Sequence, residues 1–357
     1  MQCYKRNYPR PQFVMAGNDA HIYLFIGQSN MAGRAAMEAS DRIPVKNAYL
    51  FDPDNNWLEA AAPFNRFSSG NPSEAAKSRL NPTFTFLQRV TEANPDIIFG
   101  VVVNAVGGTT IAQWAPNAAP VNSNLTVNLF NAAVERCKAA MNHGTLRGII
   151  WHQGERDATD PDYANKLAAL VTNFRIELGS PGSPLNVPFI AGETFYALGA
   201  TNRRIVNEQI AKAKTDSIIA NYDYITSIGT DAYDTTTHFD TYSQRLLGYR
   251  YAEKINKMVY GHAIDETPPS VPTGLRIVSQ GASNVSLAWD AATGNVETIG
   301  YEIFQYPEVL QNKAVASVDG TTCTITGLSP GTYEFAVRAF DKAGNISEKS
   351  QRLTVQI

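Results

Sequence analysis

Apolar runs alternate with segments of helical periodicity over residues 21–262, and this alternation limits the folds that the chain can adopt. The apolar runs predict strands at Ile22–Ile26, Ile97–Asn104, Leu146–His152, Val187–Ala191 and Tyr224–Ile228. Apolar residues three and four apart predict helices at Leu125–Met141, Pro161–Leu178, Ile205–Asp216 and Tyr242–Val259. Because parallel sheets are covered by helices on both faces, we predict a three-layer α/β/α domain with a mostly parallel sheet.

Helix caps and the position of a ligand follow from the same pattern. Asp160 followed by a proline predicts the start of the second helix, and Asp240 or Thr241 is expected to cap the last one. In sheets of this kind the ligand crevice lies beyond the carboxyl ends of the strands. Residues that follow the predicted strands are therefore the candidates for function.

The alternation ends at a proline-rich segment. Three prolines fall within residues 266–272, which predicts a stiff linker at 265–272. We therefore predict one domain at 18–264 and a second at 273–357.

Short runs with a period of two residues fill the second predicted domain. They include Val285–Trp289, Tyr301–Phe304 and Tyr333–Ala339, and such runs are typical of an all-β, immunoglobulin-like sandwich. Trp289 on the second run, and Tyr333 as a candidate tyrosine corner, resemble the fibronectin type III family. This resemblance implies a spacer or adhesion module and no chemistry of its own.

Composition narrows the classes of partner. The net charge of −3 gives no broad basic surface, so we do not expect nucleic acid as a partner. No apolar run approaches the ~20 residues that span a bilayer, so no membrane span is expected. Cys3, Cys137 and Cys323 are far apart, and the histidines lack metal-binding spacing, so no metal site is predicted. Residues 1–17 contain no apolar segment of a signal peptide, and no pattern indicates an oligomeric state.

A serine follows the first predicted strand at a glycine turn. Gly27 ends the apolar run, and Ser29 comes two residues later. A strand that ends in a tight turn can hold a hydroxyl at the rim of the sheet in a fixed direction, as a nucleophile requires. The alternative is a turn residue or helix cap, which is the commoner use of such a serine.

Polar segments follow two later strands. Gly107 and Gly108 expose backbone N–H groups without a side chain in the way, which suits an anion or oxyanion. Gln153 offers a side-chain amide, and Glu155 can orient a histidine. A plain turn and a polar loop that caps a helix are the alternatives for these two segments.

An acid-rich loop precedes the last predicted helix and carries His238. A histidine on such a loop can act as a general base when a carboxylate holds it in one tautomer. Together these segments supply what acyl transfer requires. Ser29 is the candidate nucleophile, His238 the base, and the backbone N–H groups of Ser29 and Gly108 with the Gln153 amide are the candidate oxyanion donors.

Four motifs in this order resemble the SGNH hydrolase superfamily, and within it the carbohydrate acetylesterase branch that includes sialate O-acetylesterases and acetylxylan esterases. The motifs are Gly27–Arg34, Val106–Thr109, Trp151–Glu155 and His238–Asp240. The resemblance covers nearly the whole first domain and implies a flavodoxin-like α/β/α fold. It implies removal of O-acetyl groups from a carbohydrate through an acetyl-enzyme, with no cofactor.

The carboxylate that orients His238 stays open. The superfamily usually places an aspartate three residues before the histidine, where this chain has Thr235. Asp234 and Asp231 lie four and seven residues before His238, and the resemblance also implicates Glu155. Asp234 and Glu155 are the leading candidates.

Residues that contact the sugar are less clearly indicated. Gln28, Asn30 and Trp114 are the candidates, although an indole such as that of Trp114 is as often a core residue. Arg34 can meet the carboxylate of an acidic sugar, with a structural ion pair as the alternative.

Two rival functions remain open. One is a non-catalytic glycan-binding or adhesion protein, and the other is a lipase or esterase acting on non-sugar esters. A glycan substrate and a fibronectin-like module both favour a secreted or periplasmic location.

Overall fold

The computed structural model describes residues 20–69, 79–120, 127–180, 182–195, 202–234, 236–306 and 314–357, without the side chains of 202–204. The predicted start of the first domain at residue 18 and the position of Thr235 lie outside these residues.

A seven-stranded sheet forms the centre of the first domain. Its strands are β1 (Ala20–Gly27), β2 (Ala48–Phe51), β3 (Trp57–Glu59), β4 (Phe99–Val103), β5 (Gly144–His152), β6 (Phe189–Gly192) and β7 (Tyr222–Ile225). Their spatial order is β3-β2-β4-β1-β5-β6-β7, and every pair is parallel except β2 with β3. The mostly parallel sheet is as predicted.

Helices cover both faces of this sheet. They are α1 (Ser29–Ala32), α2 (Thr83–Ala93), α3 (Leu129–Met141), α4 (Tyr163–Leu178), α5 (Asn202–Thr215) and α6 (Thr241–Tyr260). One apolar core packs α3, α4 and α5 against one face, and a second packs α2 and α6 against the other. The predicted three-layer architecture is confirmed.

Strand β1 lies at the centre of the sheet because its residues are apolar on both sides. Ile22 and Leu24 pack into the first core, while Tyr23 and Phe25 pack into the second. Successive side chains of a strand point to opposite faces, so a strand without polar positions can only be buried between two layers. The turn after β1 therefore opens at the middle of the sheet edge, between the ends of β4 and β5.

Several elements differ from the prediction. The short edge pair β2 and β3 and the helix α2 were not predicted, because α2 begins with the strand-like sequence Thr83–Phe86 and has no side-chain cap. Helix α4 begins at Tyr163 instead of Pro161, since Asp160 accepts a hydrogen bond from the Asp162 N–H in the turn ahead of the helix. Asp240 caps α6 through the Ser243 N–H, as expected.

The second domain is an all-β sandwich. Its strands are β8 (Thr273–Gly281), β9 (Asn284–Asp290), β10 (Thr298–Tyr306), β11 (Ala316–Val318), β12 (Thr322–Thr326), β13 (Thr332–Asp341) and β14 (Leu353–Gln356). They form antiparallel sheets of four and three strands around a core that contains Trp289. The Tyr333 hydroxyl donates to the Ser329 carbonyl, as a tyrosine corner does.

Within the ranges that the structure describes, no helix is both long and apolar enough to cross a membrane.

Candidate active site

Ser29 lies directly beyond the carboxyl end of the central strand. Gly27 pairs with His152 of β5 and has φ +139°, and a Cβ at this position would lie 2.1 Å from the His152 carbonyl oxygen. Only glycine fits there, because the conformation is left-handed and the neighbouring backbone is in contact. The chain turns at this point and places Ser29 at the start of α1.

His238 and Asp234 continue from Ser29 in a chain of hydrogen bonds. The His238 Nε2 lies 3.1 Å from the Ser29 Oγ, and its Nδ1 lies 2.6 Å from the Asp234 Oδ2. A hydroxyl, an imidazole and a carboxylate joined in this order can activate the hydroxyl as a nucleophile. The structure thus brings together three of the residues that the sequence singled out.

Asp234 is held as an anion by the backbone of its own loop. Its Oδ1 accepts hydrogen bonds from the N–H groups of Thr236, Thr237 and His238. Burial alone would raise the pKa of Asp234, but these three donors and the His238 side chain lower it from 3.8 to about 2. The carboxylate is therefore charged at every pH at which an esterase would be assayed.

This pKa predicts a pH dependence of stability. Because the folded-state pKa lies below the ordinary value, the carboxylate stabilises the native state above pH 4 and loses this effect as the pH falls from about 4 to about 2. We expect Asp234→Asn to lower the free energy of unfolding by about 1–2 kcal/mol at pH 6 after allowance for solvent screening. Thermal unfolding of both proteins between pH 6 and pH 2 measures this, and a stability gap that persists at pH 2 would contradict it.

The other candidate carboxylates do not contact the imidazole. Asp231 accepts from the Ala232 N–H, and its own N–H donates to the Ser243 Oγ. Glu155 accepts a hydrogen bond of 2.5 Å from the Asn30 Nδ2. Of the acids weighed from the sequence, Asp234 is the one that the structure places against His238.

Asn30 joins the serine turn to the histidine loop. Besides Glu155, its Nδ2 donates to the Thr237 carbonyl, and its Oδ1 accepts from the Phe239 N–H. These bonds flank His238 on both sides along the chain. Asn30 is 1% exposed, and its polar atoms hold the loop. Its predicted contact with substrate stays a prediction.

Two backbone N–H groups remain available beside the Ser29 hydroxyl. Within the described part of the chain, the N–H groups of Ser29 and Gly108 have no acceptor. Gly108 is exposed at φ +75°, and a Cβ there would meet no atom within 4 Å, so its surroundings are open. Such donors suit an oxyanion that forms next to the serine.

The Gln153 amide, predicted from the sequence as an oxyanion donor, contacts neighbouring residues in the structure. It is fully buried, and its Nε2 lies within hydrogen-bond distance of Gln28 Oε1, the Thr109 carbonyl and Asp157 Oδ2, at 3.1, 2.9 and 2.5 Å. Its Oε1 accepts from the Tyr163 hydroxyl. Since its contacts reach both Gln28 and Thr109, Gln153 fixes the serine turn and the glycine loop relative to each other.

Two further substrate candidates are interior residues. Gln28 is 3% exposed and its Oε1 faces Gln153. Trp114 is fully buried, donates to Thr109 Oγ1 and packs edge-on against Trp151. The indole of Trp114 is committed to the fold, whereas no hydrogen bond of the Gln28 Nε2 is seen within the described residues. Contact of these two side chains with a sugar stays a prediction.

The structure places two other side chains beside the Ser29 and His238 pair. The Tyr233 ring stacks on His238 at 6.0 Å with an interplanar angle of 17°, and it is 55% exposed. A Cβ on Gly107 would lie 2.4 Å from the Arg34 Nη2 and 3.5 Å from the Ser29 Cβ, so the guanidinium and the serine share the face of that glycine. The sequence analysis did not single out Tyr233 as a site residue, although its position directly before the candidate acid Asp234 could have indicated it.

Arg34 has no acidic partner among the residues that the structure describes. Its Nη1 donates a hydrogen bond of 2.8 Å to the Gly33 carbonyl. Burial lowers the pKa of Arg34, Tyr233 opposes this, and Arg79 lowers it further. The structural ion pair that the sequence offered as an alternative is therefore not seen in the described residues.

His152 is a structural residue of the site. It is fully buried, its Nδ1 lies 2.8 Å from the Tyr251 hydroxyl, and its ring packs edge-on against Phe239. Burial lowers the pKa of His152 to about 3, so this imidazole is neutral and supports the histidine loop from below.

Comparison with known proteins agrees with this architecture. Residues 19–257 match the family described as carbohydrate esterase, sialic acid-specific acetylesterase, and residues 270–356 match the fibronectin type III domain. A probable carbohydrate esterase of Arabidopsis thaliana is 23% identical over 253 residues, which are 65% of this chain and 88% of that protein.

Two solved structures have the same fold. The structure of an Arabidopsis thaliana protein matches with a TM-score of 0.57 at 22% identity, over 68% of this chain and 99% of that chain. A carbohydrate acetylesterase from Xanthomonas citri matches with a TM-score of 0.54 at 17% identity, over 93% of this chain and 80% of that chain.

Other relatives share a segment about as long as the second domain. Chitinase A1 of Niallia circulans is 43% identical over 93 residues, and chitinase Chi52 of Paenibacillus xylanexedens is 45% identical over 92 residues. The chain spans 13% and 17% of the lengths of these two enzymes. Because the esterase profile covers more than half of the chain and the fold agrees with it, the chain belongs to the carbohydrate esterase, sialic acid-specific acetylesterase, family and carries a C-terminal fibronectin type III domain.

Proposed function

We propose that this protein is a serine esterase that removes O-acetyl groups from a carbohydrate through an acetyl-enzyme. The observation that carries the proposal is the hydrogen-bonded chain from Ser29 through His238 to Asp234, with the free N–H groups of Ser29 and Gly108 beside it. This arrangement contains a nucleophile, a base with a fixed tautomer and an oxyanion site.

In the first half of the reaction, the Ser29 Oγ attacks the carbonyl carbon of the acetyl group while His238 Nε2 takes its proton. The carbonyl oxygen becomes an oxyanion between the N–H groups of Ser29 and Gly108. The bond from carbon to the sugar oxygen then breaks, and the imidazolium returns the proton to that oxygen. The products are a free sugar hydroxyl and an acetyl group on Ser29.

In the second half, water replaces the sugar. His238 takes a proton from the water as its oxygen attacks the acetyl carbon, and the same donors bind the second oxyanion. When the bond to the Ser29 Oγ breaks, the serine recovers its proton and acetate leaves. Asp234 stays ionised throughout and stabilises the imidazolium, and the steps require no metal or nucleotide.

The surroundings of Ser29 favour an acidic sugar. Arg34 is a partly buried cation at the serine without a carboxylate partner in the described residues, and a guanidinium binds a carboxylate with two hydrogen bonds. The exposed ring of Tyr233 offers an apolar face to the same substrate. We therefore favour an O-acetyl sialic acid or a similar acidic glycan over acetylated xylan.

Arg34→Met tests this preference. We expect it to raise KM for O-acetyl sialic acid by about 10- to 100-fold, because one charge-assisted contact is lost, and to change KM for acetylated xylose less than about threefold. The measurement is acetate release at varied substrate concentration. The matched control is Arg79→Met, which removes an exposed cation nearby. Equal losses on both substrates would contradict the carboxylate contact and place Arg34 in the ester machinery.

Substrate panels test the function itself. We expect the protein to release acetate from acetylated glycans and to hydrolyse p-nitrophenyl acetate much faster than the octanoate ester. A clear preference for octanoate would favour the lipase alternative. Binding of glycans without turnover would favour the adhesion alternative.

We also propose a secreted or periplasmic location. It is supported by the glycan substrate and by the fibronectin type III domain shared with bacterial chitinases. Cell fractionation of the source organism with an antibody against the chain would test it, and confinement to the cytoplasm would contradict it.

A further inference from the structure

A buried arginine connects the two domains. Arg250 lies on α6 and is 2% exposed. Its Nη1 donates to the carbonyl oxygens of Thr226 and Ile228 in the first domain, each at 2.8 Å. Its Nε and Nη2 donate to those of Lys342 and Asp341 in the second, at 3.1 and 3.3 Å. One guanidinium thus satisfies backbone acceptors of both domains.

This guanidinium keeps its charge in the interface. Burial lowers the pKa of Arg250 to about 10, while the Asp341 and Glu193 carboxylates favour the charged form. A buried cation that donates four hydrogen bonds is costly to leave unpaired, so separation of the domains would have to hydrate it.

Two glycines allow the backbones to approach closely. A Cβ on Gly344 would lie 2.7 Å from the Thr226 Cγ2, and a Cβ on Gly229 would lie 2.5 Å from the Phe340 ring. Phe340 is 2% exposed, and the Lys342 ammonium lies 5.1 Å from the centre of the Tyr249 ring. The second domain is therefore packed against residues 226–229 of the first and is not a detached spacer.

The contacted segment leads directly into the loop that carries the candidate acid and base. Asp231 and Asp240 are joined by a backbone hydrogen bond of 3.1 Å, and Ala232 and Phe239 form an antiparallel bridge. This stem holds the loop that carries Asp234 and His238. One strand of the stem continues from residues 226–230, and the other continues into α6, which carries Arg250.

We propose that the fibronectin type III domain is part of the catalytic architecture, because it packs against the two segments that flank the stem of the loop that carries Asp234 and His238, and that Arg250 is a positioning residue for hydrolysis. This proposal rests on the proposed esterase function and concerns the geometry of the same site. His238 Nε2 is 3.1 Å from the Ser29 Oγ, so a shift of the loop by about 1 Å would break this contact.

The support is a property of this two-domain chain. The Arabidopsis structure matches 68% of this chain over 99% of its own length, so the esterase fold also occurs without a second domain of this kind. In such a protein the loop must be held by other contacts. Here the segment that leads into the loop stem packs instead against a domain that sequence reasoning treated as chemically silent.

Gly344→Leu tests the proposal from the side of the second domain. The leucine cannot fit against Thr226, so the domains are forced apart without any change to the esterase sequence. We expect kcat for p-nitrophenyl acetate to fall by about 10- to 100-fold, because the catalytic groups are misplaced. KM should change less than twofold. Arg250→Lys, which keeps the charge but loses the fork of donors, is expected to act in the same direction.

Gly327→Leu is the matched control. Gly327 also lies in the second domain with φ +74°, close to the +95° of Gly344, but a Cβ there meets no atom within 4 Å. The two variants share backbone strain and differ in contact with the esterase domain. Circular dichroism and thermal unfolding confirm that each variant folds, and the downfield proton resonance of the His238 Nδ1–H reports whether its bond to Asp234 is intact.

The outcomes separate the proposals. Loss of kcat and of this resonance in Gly344→Leu and Arg250→Lys, but not in Gly327→Leu, supports the positioning role. An unchanged kcat in both interface variants, or an equal loss in Gly327→Leu, overturns it. A wild-type protein that hydrolyses no ester would overturn the proposed function instead.

Discussion

Ser29→Ala is expected to lower kcat for acetyl esters by up to about a millionfold. The expectation follows from the bond of 3.1 Å between Ser29 Oγ and His238 Nε2, since without the hydroxyl the base has no nucleophile to activate. The backbone donors at residues 29 and 108 stay in place, so a small residual rate from oxyanion binding remains. The measurement is hydrolysis of p-nitrophenyl acetate at saturating substrate.

The control for this variant is Ser40→Ala, which removes an exposed hydroxyl outside the hydrogen-bonded chain of Ser29, His238 and Asp234 and should leave kcat unchanged. Mass spectrometry during turnover should find the acetyl group on the peptide that contains Ser29 in the wild type. Activity that survives Ser29→Ala would refute the nucleophile assignment, and with it the acetyl-enzyme.

The layers of the fold were predictable because the sheet is buried on both faces. A strand such as Ile22–Ile26 has no polar position, and such runs alternate with helices that each have one apolar side. The strands β2 and β3, next to each other at one side of the sheet, have four and three residues, too short for a periodic signal. Helix α2 was missed because its aromatic and β-branched first turn resembles a strand, and packing against α6 overrides that propensity.

The sequence predicts which residues lie at the site better than it predicts the hydrogen bonds between their side chains. Ser29, Gly108 and His238 follow strands whose carboxyl ends meet at one edge, so their proximity follows from topology. The direction of an amide side chain does not follow from topology. Gln153 and Asn30 were assigned to the oxyanion and the substrate, yet both serve to hold neighbouring loops. Interdomain contacts such as those of Arg250 leave no pattern in a single sequence.

Asp234→Asn is expected to lower kcat by about 10⁴-fold, because the change reverses the tautomer of His238. Three backbone N–H groups point at the Oδ1, so the amide oxygen of the asparagine must take that place. Its NH₂ group then faces the His238 Nδ1 at the position of the Oδ2, which lies 2.6 Å away. A donor there forces the imidazole proton onto Nε2, the nitrogen that faces Ser29. A protonated Nε2 cannot accept the proton of the serine hydroxyl.

Glu155→Gln and Asp231→Asn are the matched controls, since each also replaces a carboxylate by an amide within the same group of loops. Glu155→Gln keeps an oxygen to accept from Asn30, so we expect a loss below about tenfold, and Asp231 does not contact the imidazole. The kcat of all three variants on one acetyl ester decides between the carboxylates. A larger loss of kcat in Glu155→Gln than in Asp234→Asn would contradict the assignment of Asp234. It would mean that the Glu155 carboxylate acts on His238 through Asn30, which bonds the backbone of Thr237 and Phe239 on either side of the histidine.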